Sequence, residues 1–192
     1  MIMRSLQLIG TVLLFILCTA PATGQGSRQI ANRRIIQVST RTTDSRKAKV
    51  SQEFTVDRYD RKGNLIESMV FDRDSVKTSW EKFTYTKKNL VREYVVLHPL
   101  TGVPEKITEY AYDKWKNETR EQVFDGEHRL KQASVSEYDN FGKKVREVTS
   151  DAEGKLVRKT VYEYDSRGML LRRRMFDANG TMIYEKVNSY IY

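Results

Sequence analysis

Six tyrosines stand at positions 59, 85, 112, 138, 164 and 190, each 26 or 27 residues after the last. Self-similarity at a fixed period means that one supersecondary unit is repeated and buries its apolar surface against its neighbours. Thirteen residues after the first five tyrosines come Asp72, His98, Asp125, Asp151 and Asp177, and the 27-residue copy holds the longer loop His98-Pro99-Leu100-Thr101-Gly102. Each copy therefore contains two turns. The repeat unit is a pair of strands with a reversal at each end.

The turn residues say which reversal it is. Asp139-Asn-Phe-Gly142, Asp151-Ala-Glu-Gly154, Asp165-Ser-Arg-Gly168 and Asp177-Ala-Asn-Gly180 place Asp first and Gly fourth. Asp at the first position of a type I turn accepts bonds from the backbone ahead, and Gly takes the left-handed conformation at the fourth. That is the three-residue hairpin with a bulge, so these four glycines are expected at positive φ. Between the turns run strand-length segments rich in Val, Tyr, Thr and Ile, such as Lys155-Leu-Val-Arg-Lys-Thr-Val-Tyr-Glu-Tyr164, without a helical period. The expected fold is all-β: an antiparallel meander of about eleven or twelve strands from Ile35 onward, in one strongly twisted, curled sheet. A two-layer or dimer-covered sheet is the alternative, because one apolar face needs cover.

Carrying the bulged-turn register along the last hairpins opposes Asp165 to Met169 and Tyr162 to Arg172. One face then receives Val145, Val157, Val161, Leu171, Met175, Ile183 and Val187, and reads as the core. Its charges pair as Lys143 with Glu163, Glu147 with Lys159, and Arg173 with Glu185. The other face receives the row Tyr138, Lys144, Tyr162, Arg172 and Lys186, with Arg146, Thr160, Arg174 and Tyr184 beside it. Tyr138, Lys144, Arg146, Tyr162, Arg172, Arg174, Tyr184 and Lys186 are the candidate binding residues. Flat rings suit sugars and other planar groups, and flanking cations suit carboxylate, sulfate or phosphate. A slip of one residue would exchange the faces of alternate strands.

Residues 1–24 have the parts of a secretory signal peptide. Arg4 precedes the apolar run Leu6–Ala20, followed by small residues, with cleavage after Ala22 or Gly24. Residues 25–34 read as a basic lead-in and residues 35–192 as one β-repeat domain. The expected address is the periplasm or the extracellular space. Cys18, the only cysteine, lies within the leader, so the exported chain has no disulfide and no thiol nucleophile. The net charge of +9 points to anionic partners. His98 and His128 fall in turns thirty residues apart, and no HExxH, GxSxG or phosphate-cradling glycine loop is present. No catalytic residue, metal site or cofactor is expected. A membrane-spanning barrel would need an unbroken apolar band, in which each midplane charge costs ~2–4 kcal/mol. Lys143, Glu147, Lys159 and Arg173 interrupt one face, and the other is basic.

The phrase Tyr162-Glu-Tyr164-Asp165-Ser-Arg-Gly168-Met-Leu170 resembles the tyrosine–aspartate (YD, Rhs-type) repeat: tyrosine, x, tyrosine-aspartate, two residues, glycine, x, leucine. Tyr59-Asp60-Arg-Lys-Gly63-Asn-Leu65 matches its second half, and Tyr138-Asp139-Asn-Phe-Gly142 matches more briefly. Tyr85-Thr-Lys-Lys-Asn89 departs from it, losing both Asp and Gly. In large members of that class such repeats build spiralling β-sheet walls around a cargo. With five copies, the chain is similar rather to small secreted bacterial repeat proteins of unassigned function. The resemblance implies a curled sheet, a non-catalytic role and no active site. The resulting expectation is an exported, non-enzymatic repeat protein that binds an anionic polysaccharide or other cell-envelope component through the Tyr/Arg/Lys face. A structural or protein-interaction module, including a homodimer, is the alternative. A small hydrolase lacks a nucleophile and base, and nucleic-acid binding does not suit an exported protein.

Overall fold

In the computed structural model, residues 27–44 and 51–191 are described. The signal peptide read at residues 1–24 lies outside them. One short helix, α1 (Ser27–Asn32), precedes twelve strands. The strands are β1 (Gln37–Asp44), β2 (Ser51–Tyr59), β3 (Leu65–Phe71), β4 (Lys77–Tyr85), β5 (Val91–Leu97) and β6 (Pro104–Tyr112). They continue as β7 (Glu118–Asp125), β8 (Leu130–Tyr138), β9 (Lys144–Asp151), β10 (Leu156–Tyr164), β11 (Leu170–Asp177) and β12 (Met182–Val187). All twelve form one antiparallel sheet in strict chain order, and β1 and β12 are its open edges. The expected all-β meander, strand number and single curled sheet are as read from the repeat.

The turns close by one chemistry. Asp60, Asp72, Asp113, Asp125, Asp139, Asp151, Asp165 and Asp177 each accept two backbone N–H bonds through Oδ1, from the residues two and four ahead, at 2.8–3.2 Å. The two departures keep the role. Thr86 accepts from Leu90 N–H through Oγ1 at 3.2 Å, and His98 Nδ1 accepts from Leu100 and Thr101 at 3.3 Å each. Gly142, Gly154, Gly168 and Gly180 have φ between 76° and 82°, as the turn type requires. Ser75, Asn89, Lys116 and His128 hold the same left-handed place without being glycine.

Successive turns alternate between two ends of the sheet. Those at Asp60, Thr86, Asp113, Asp139 and Asp165 follow a tyrosine and define the tyrosine end; the others define the phenylalanine end, after Phe71, Phe124 and Phe176. Strands joined at the phenylalanine end lie open at the tyrosine end, and there a tyrosine hydroxyl crosses to the neighbouring strand. Tyr85 donates to the carbonyl of Leu65 (2.6 Å), Tyr112 to Val91 (2.7 Å), Tyr138 to Glu118 (2.9 Å), Tyr164 to Lys144 (2.9 Å) and Tyr190 to Leu170 (3.0 Å). The 26-residue tyrosine period is thus a row of staples.

α1 covers the first tyrosine-end turn. Ile30 is almost fully buried, and a Cβ on Gly63 would stand 2.1 Å from the carbonyl oxygen of Ser27. Part of the stretch read as a basic lead-in is therefore an ordered cap. Ile30 finds cover there that the open sheet does not give most of its aliphatic residues.

The register differs from expectation by one residue. Asp165 does oppose Met169, and Tyr164 opposes Leu170. The next pair is Glu163 with Arg172, so Leu171 is an extra, bulged residue and Tyr162 opposes Arg173 rather than Arg172. The same one-residue shift follows the turn in each of the ten pairings from β2–β3 to β11–β12. A bulge bends its strand and increases local twist, so its repetition gives the sheet its curl.

Faces follow register, and the expected faces are accordingly exchanged on alternate strands. The aliphatic row is not the core: Val157, Leu171, Ile183 and Val187 are exposed. The buried, inner face is polar and aromatic. Thr149 is 1% exposed and Thr160 4%, with Ser134 and Ser136 also buried beside them. Ser134 and Thr149 share a hydroxyl hydrogen bond of 3.0 Å. The buried apolar residues of the sheet, Tyr59, Met69, Tyr94, Leu97 and Ile107, lie toward its other half, on β2, β3, β5 and β6. The expected pairs Lys143–Glu163, Glu147–Lys159 and Arg173–Glu185 are not register partners: Glu147 faces Thr160, Lys159 faces Val148, and Glu185 faces Arg174.

Candidate functional site

The eight candidate binding residues divide between the two faces. Register places Tyr138, Lys144, Tyr162, Tyr184 and Lys186 on the inner face and Arg146, Arg172 and Arg174 on the outer one. Each outer arginine is neutralised locally. Arg146 binds Glu137, Arg174 binds Glu163, and Arg172 lies 3.5 Å from Glu163 and 3.4 Å from Glu185. Glu137 is held below the usual carboxylate range, first by the hydrogen bond from Arg146 and also by its charge, against an opposing effect of burial. Charges opposite one another across a pleat stabilise the sheet. These three arginines are therefore not free cations for a ligand.

On the inner face, Arg173 takes the place expected of Arg172. It stands opposite Tyr162 on one side and Lys186 on the other, and its guanidinium lies 5.0 Å from the centre of the Tyr184 ring. Among the described residues Arg173 and Lys186 make no ion pair with a carboxylate. Sequence reading missed Arg173 because the bulge at Leu171 turns it inward, and Leu171 resembles any other strand residue.

Further along the inner face, burial governs the electrostatics. Lys144 bonds Glu147 at 3.0 Å. Burial works against its charge, but the bond and charge of Glu147 outweigh it and raise the ammonium's pKa. Burial pushes the Glu121 carboxyl above its usual range, and the charge of Glu147 pushes it further. Glu118 is raised in the same way, with Lys144 partly opposing. Tyr138 and Tyr162 are both raised, chiefly by burial. This central part is half-buried and internally paired. The accessible cations and rings lie toward β11 and β12, where Tyr184 is 41% exposed and Lys186 is exposed.

Ser68 Oγ donates to the buried Asp57 carboxylate at 2.7 Å, and no group of three or more His, Cys, Asp or Glu suited to a metal ion occurs among the described residues. His98 serves its turn, and His128 Nε2 lies 3.2 Å from Glu109 with its ring against Phe124. No helix among the described residues is long and apolar enough to cross a membrane.

No family model matches the chain, and no curated protein matches it. Among solved structures, it is similar to part of the crystal structure of TcdB2-TccC3-TEV, with a TM-score of 0.53 at 13% identity over 81% of this chain. The chain spans 8% of the length of that one. A porin-like protein from Bacteroides uniformis aligns at TM-score 0.44 and 10% identity, over 80% of this chain and 56% of its own. A protein with unknown function from Bacteroides fragilis aligns at TM-score 0.35 and 10% identity, over 82% of this chain and 96% of its own. The first of these is a likeness of fold.

Proposed function

We propose that this chain is an exported, non-enzymatic member of the YD-type repeat proteins. In this reading it binds an anionic polysaccharide or similar envelope polymer along the inner face of β10–β12. The carrying observation is the row Tyr162, Arg173 and Lys186 with Arg173 stacked on Tyr184. It combines aromatic rings with two cations that no neighbouring carboxylate neutralises, whereas Arg172 and Arg174 on the reverse are paired with glutamate. Stacked guanidinium and ammonium groups suit the carboxylates or sulfates of a polymer whose sugar rings lie on the tyrosines. The leader-like residues 1–24 and the absence of cysteine beyond Cys18 support export.

Retention on an immobilised acidic polysaccharide tests the reading. Wild type should bind and elute with salt. Arg173→Ser with Lys186→Ser should lose retention, and Arg172→Ser with Arg174→Ser should keep it. Equal retention of the first pair and wild type would overturn the assignment.

A further inference from the structure

The five turns of the tyrosine end form one continuous rim. Asn64 Nδ2 lies 3.5 Å from Asn89 Oδ1, and Lys88 Nζ lies 3.3 Å from the carbonyl oxygen of Lys114. A Cβ on Gly142 would lie 3.7 Å from Asn117 Oδ1, and one on Gly168 would lie 2.3 Å from Lys143 Nζ. Each turn therefore abuts the next, from Asp60 to Gly168.

The tips of that rim share one chemistry. The first turn presents Arg61 and Lys62 and the second Lys87 and Lys88. The third presents Lys114, Trp115 and Lys116, the fourth Phe141, and the fifth Arg167, with no carboxylate at any of these tip positions. Trp115 is 71% exposed and Phe141 85%. Lysine ammoniums attend both rings, Lys114 at 4.1 Å and Lys143 at 5.7 Å from the ring centres. α1 sits over the first turn and adds exposed Arg28, Arg33 and Arg34 to the same end. At the described turns of the opposite end the tips carry Arg73 against Asp74, Glu127 and Glu153. The charged aromatic rim belongs to one end.

We infer that this rim docks on the surface of an anionic lipid bilayer, with Trp115 and Phe141 entering the headgroup layer. A soluble polyanion without sugar rings would use the cations but gain little from two large rings exposed at adjacent turn tips. A bilayer interface uses both: aromatic side chains settle at headgroup depth, while lysine stems lie along apolar surface and keep their charges among the phosphates. The rim shares no residue with the Tyr162, Arg173 and Lys186 row, so the two assignments stand or fall separately.

Flotation with vesicles tests it, using phosphatidylcholine alone and phosphatidylcholine with about one-third phosphatidylglycerol. Wild type should float with the anionic vesicles only. A lysine beside an anionic surface contributes roughly fivefold in partitioning, so Lys114→Ser with Lys116→Ser should weaken it roughly twenty-five-fold. Trp115→Ser with Phe141→Ser should weaken binding several-fold and make what remains more salt-sensitive. Arg73→Ser with Leu100→Ser, at the opposite end, and Arg173→Ser with Lys186→Ser should float as wild type does. Brominated anionic lipid should quench wild-type tryptophan emission, a readout that requires no variant. Absence of flotation, full flotation of the Trp115/Phe141 variant, or rim-dependent binding to a soluble polyanion but not to vesicles would each overturn the proposal.

Discussion

The hydroxyl of Tyr164 on β10 donates to the backbone carbonyl of Lys144 on β9 at 2.9 Å, across the one end of that strand pair where no turn joins it. The bond replaces a connection. Tyr112→Phe, Tyr138→Phe and Tyr164→Phe should each cost about 1 kcal/mol, since the ring stays packed while a carbonyl loses its donor. Tyr190→Phe should cost less, because its hydroxyl is exposed at the edge and water can replace it. Urea unfolding of the four variants checks the order, and indistinguishable midpoints for wild type and Tyr138→Phe would remove the stapling role.

The turn positions with positive φ give opposite outcomes according to the residue present. Gly154 and Gly180 have open space where a Cβ would go, so alanine there carries backbone strain alone, about 1 kcal/mol. Gly63→Ala should be far more damaging, because its Cβ would collide with the backbone of α1. Ser75, at φ 61°, should gain stability as Ser75→Gly, by a few tenths to about 1 kcal/mol. Thermal melts of these four variants check both signs.

His98 holds an aspartate's place, accepting two backbone bonds through Nδ1. His98→Asp should therefore be tolerated or stabilising, because a carboxylate oxygen accepts such bonds more strongly than a ring nitrogen. His98→Leu should cost about 1–2 kcal/mol through two N–H groups left without that acceptor. Asp151→Ala, which removes the acceptor of Glu153 and Lys155 N–H, should cost about as much. Chemical denaturation of the three proteins separates these outcomes.

Glu121 provides a pH test with a definite sign. Burial first, and then the charge of Glu147, raise its carboxyl above the usual range, so the folded protein holds this proton more tightly than the unfolded chain does. The stabilising contribution is full below the ordinary glutamate pKa, about 4.3, and is lost as pH rises through the raised folded value. Glu121→Gln should therefore raise the melting temperature at neutral pH and change it little near about pH 3.5. A gain of equal size at both pH values would show that the side chain's ionisation is not what costs stability.

The parts of this fold legible in the sequence are those whose chemistry admits few residues. An oxygen two and four residues before unpaired N–H groups needs Asp or a near substitute, and a left-handed backbone favours Gly, so the turns and the strand number could be read directly. The second bulge was not legible. Leu171, Val145 and Thr119 occupy it at the tyrosine end, each an ordinary strand residue, because this bulge needs no positive φ. One unmarked residue per turn reversed the faces and put Arg173, not Arg172, beside Tyr162. The cap formed by α1 was also hidden, since six residues are too few for a helical period. For the charged rim, the alternation of the turns was legible in the repeat, whereas the contacts that join successive turns of one end were not.

Because the sheet runs in chain order without a crossover, each strand completes its pairing as soon as the next is available. Apart from the packing of α1 and the contacts between successive turns of one end, contacts join neighbouring strands, so the entropic cost of loop closure stays close to that of a single hairpin. Such a chain can assemble progressively from its N-terminal side. A polypeptide emerging as a thread would acquire order at the rate of its emergence, with β1 and the newest strand as the two unpaired edges at any moment.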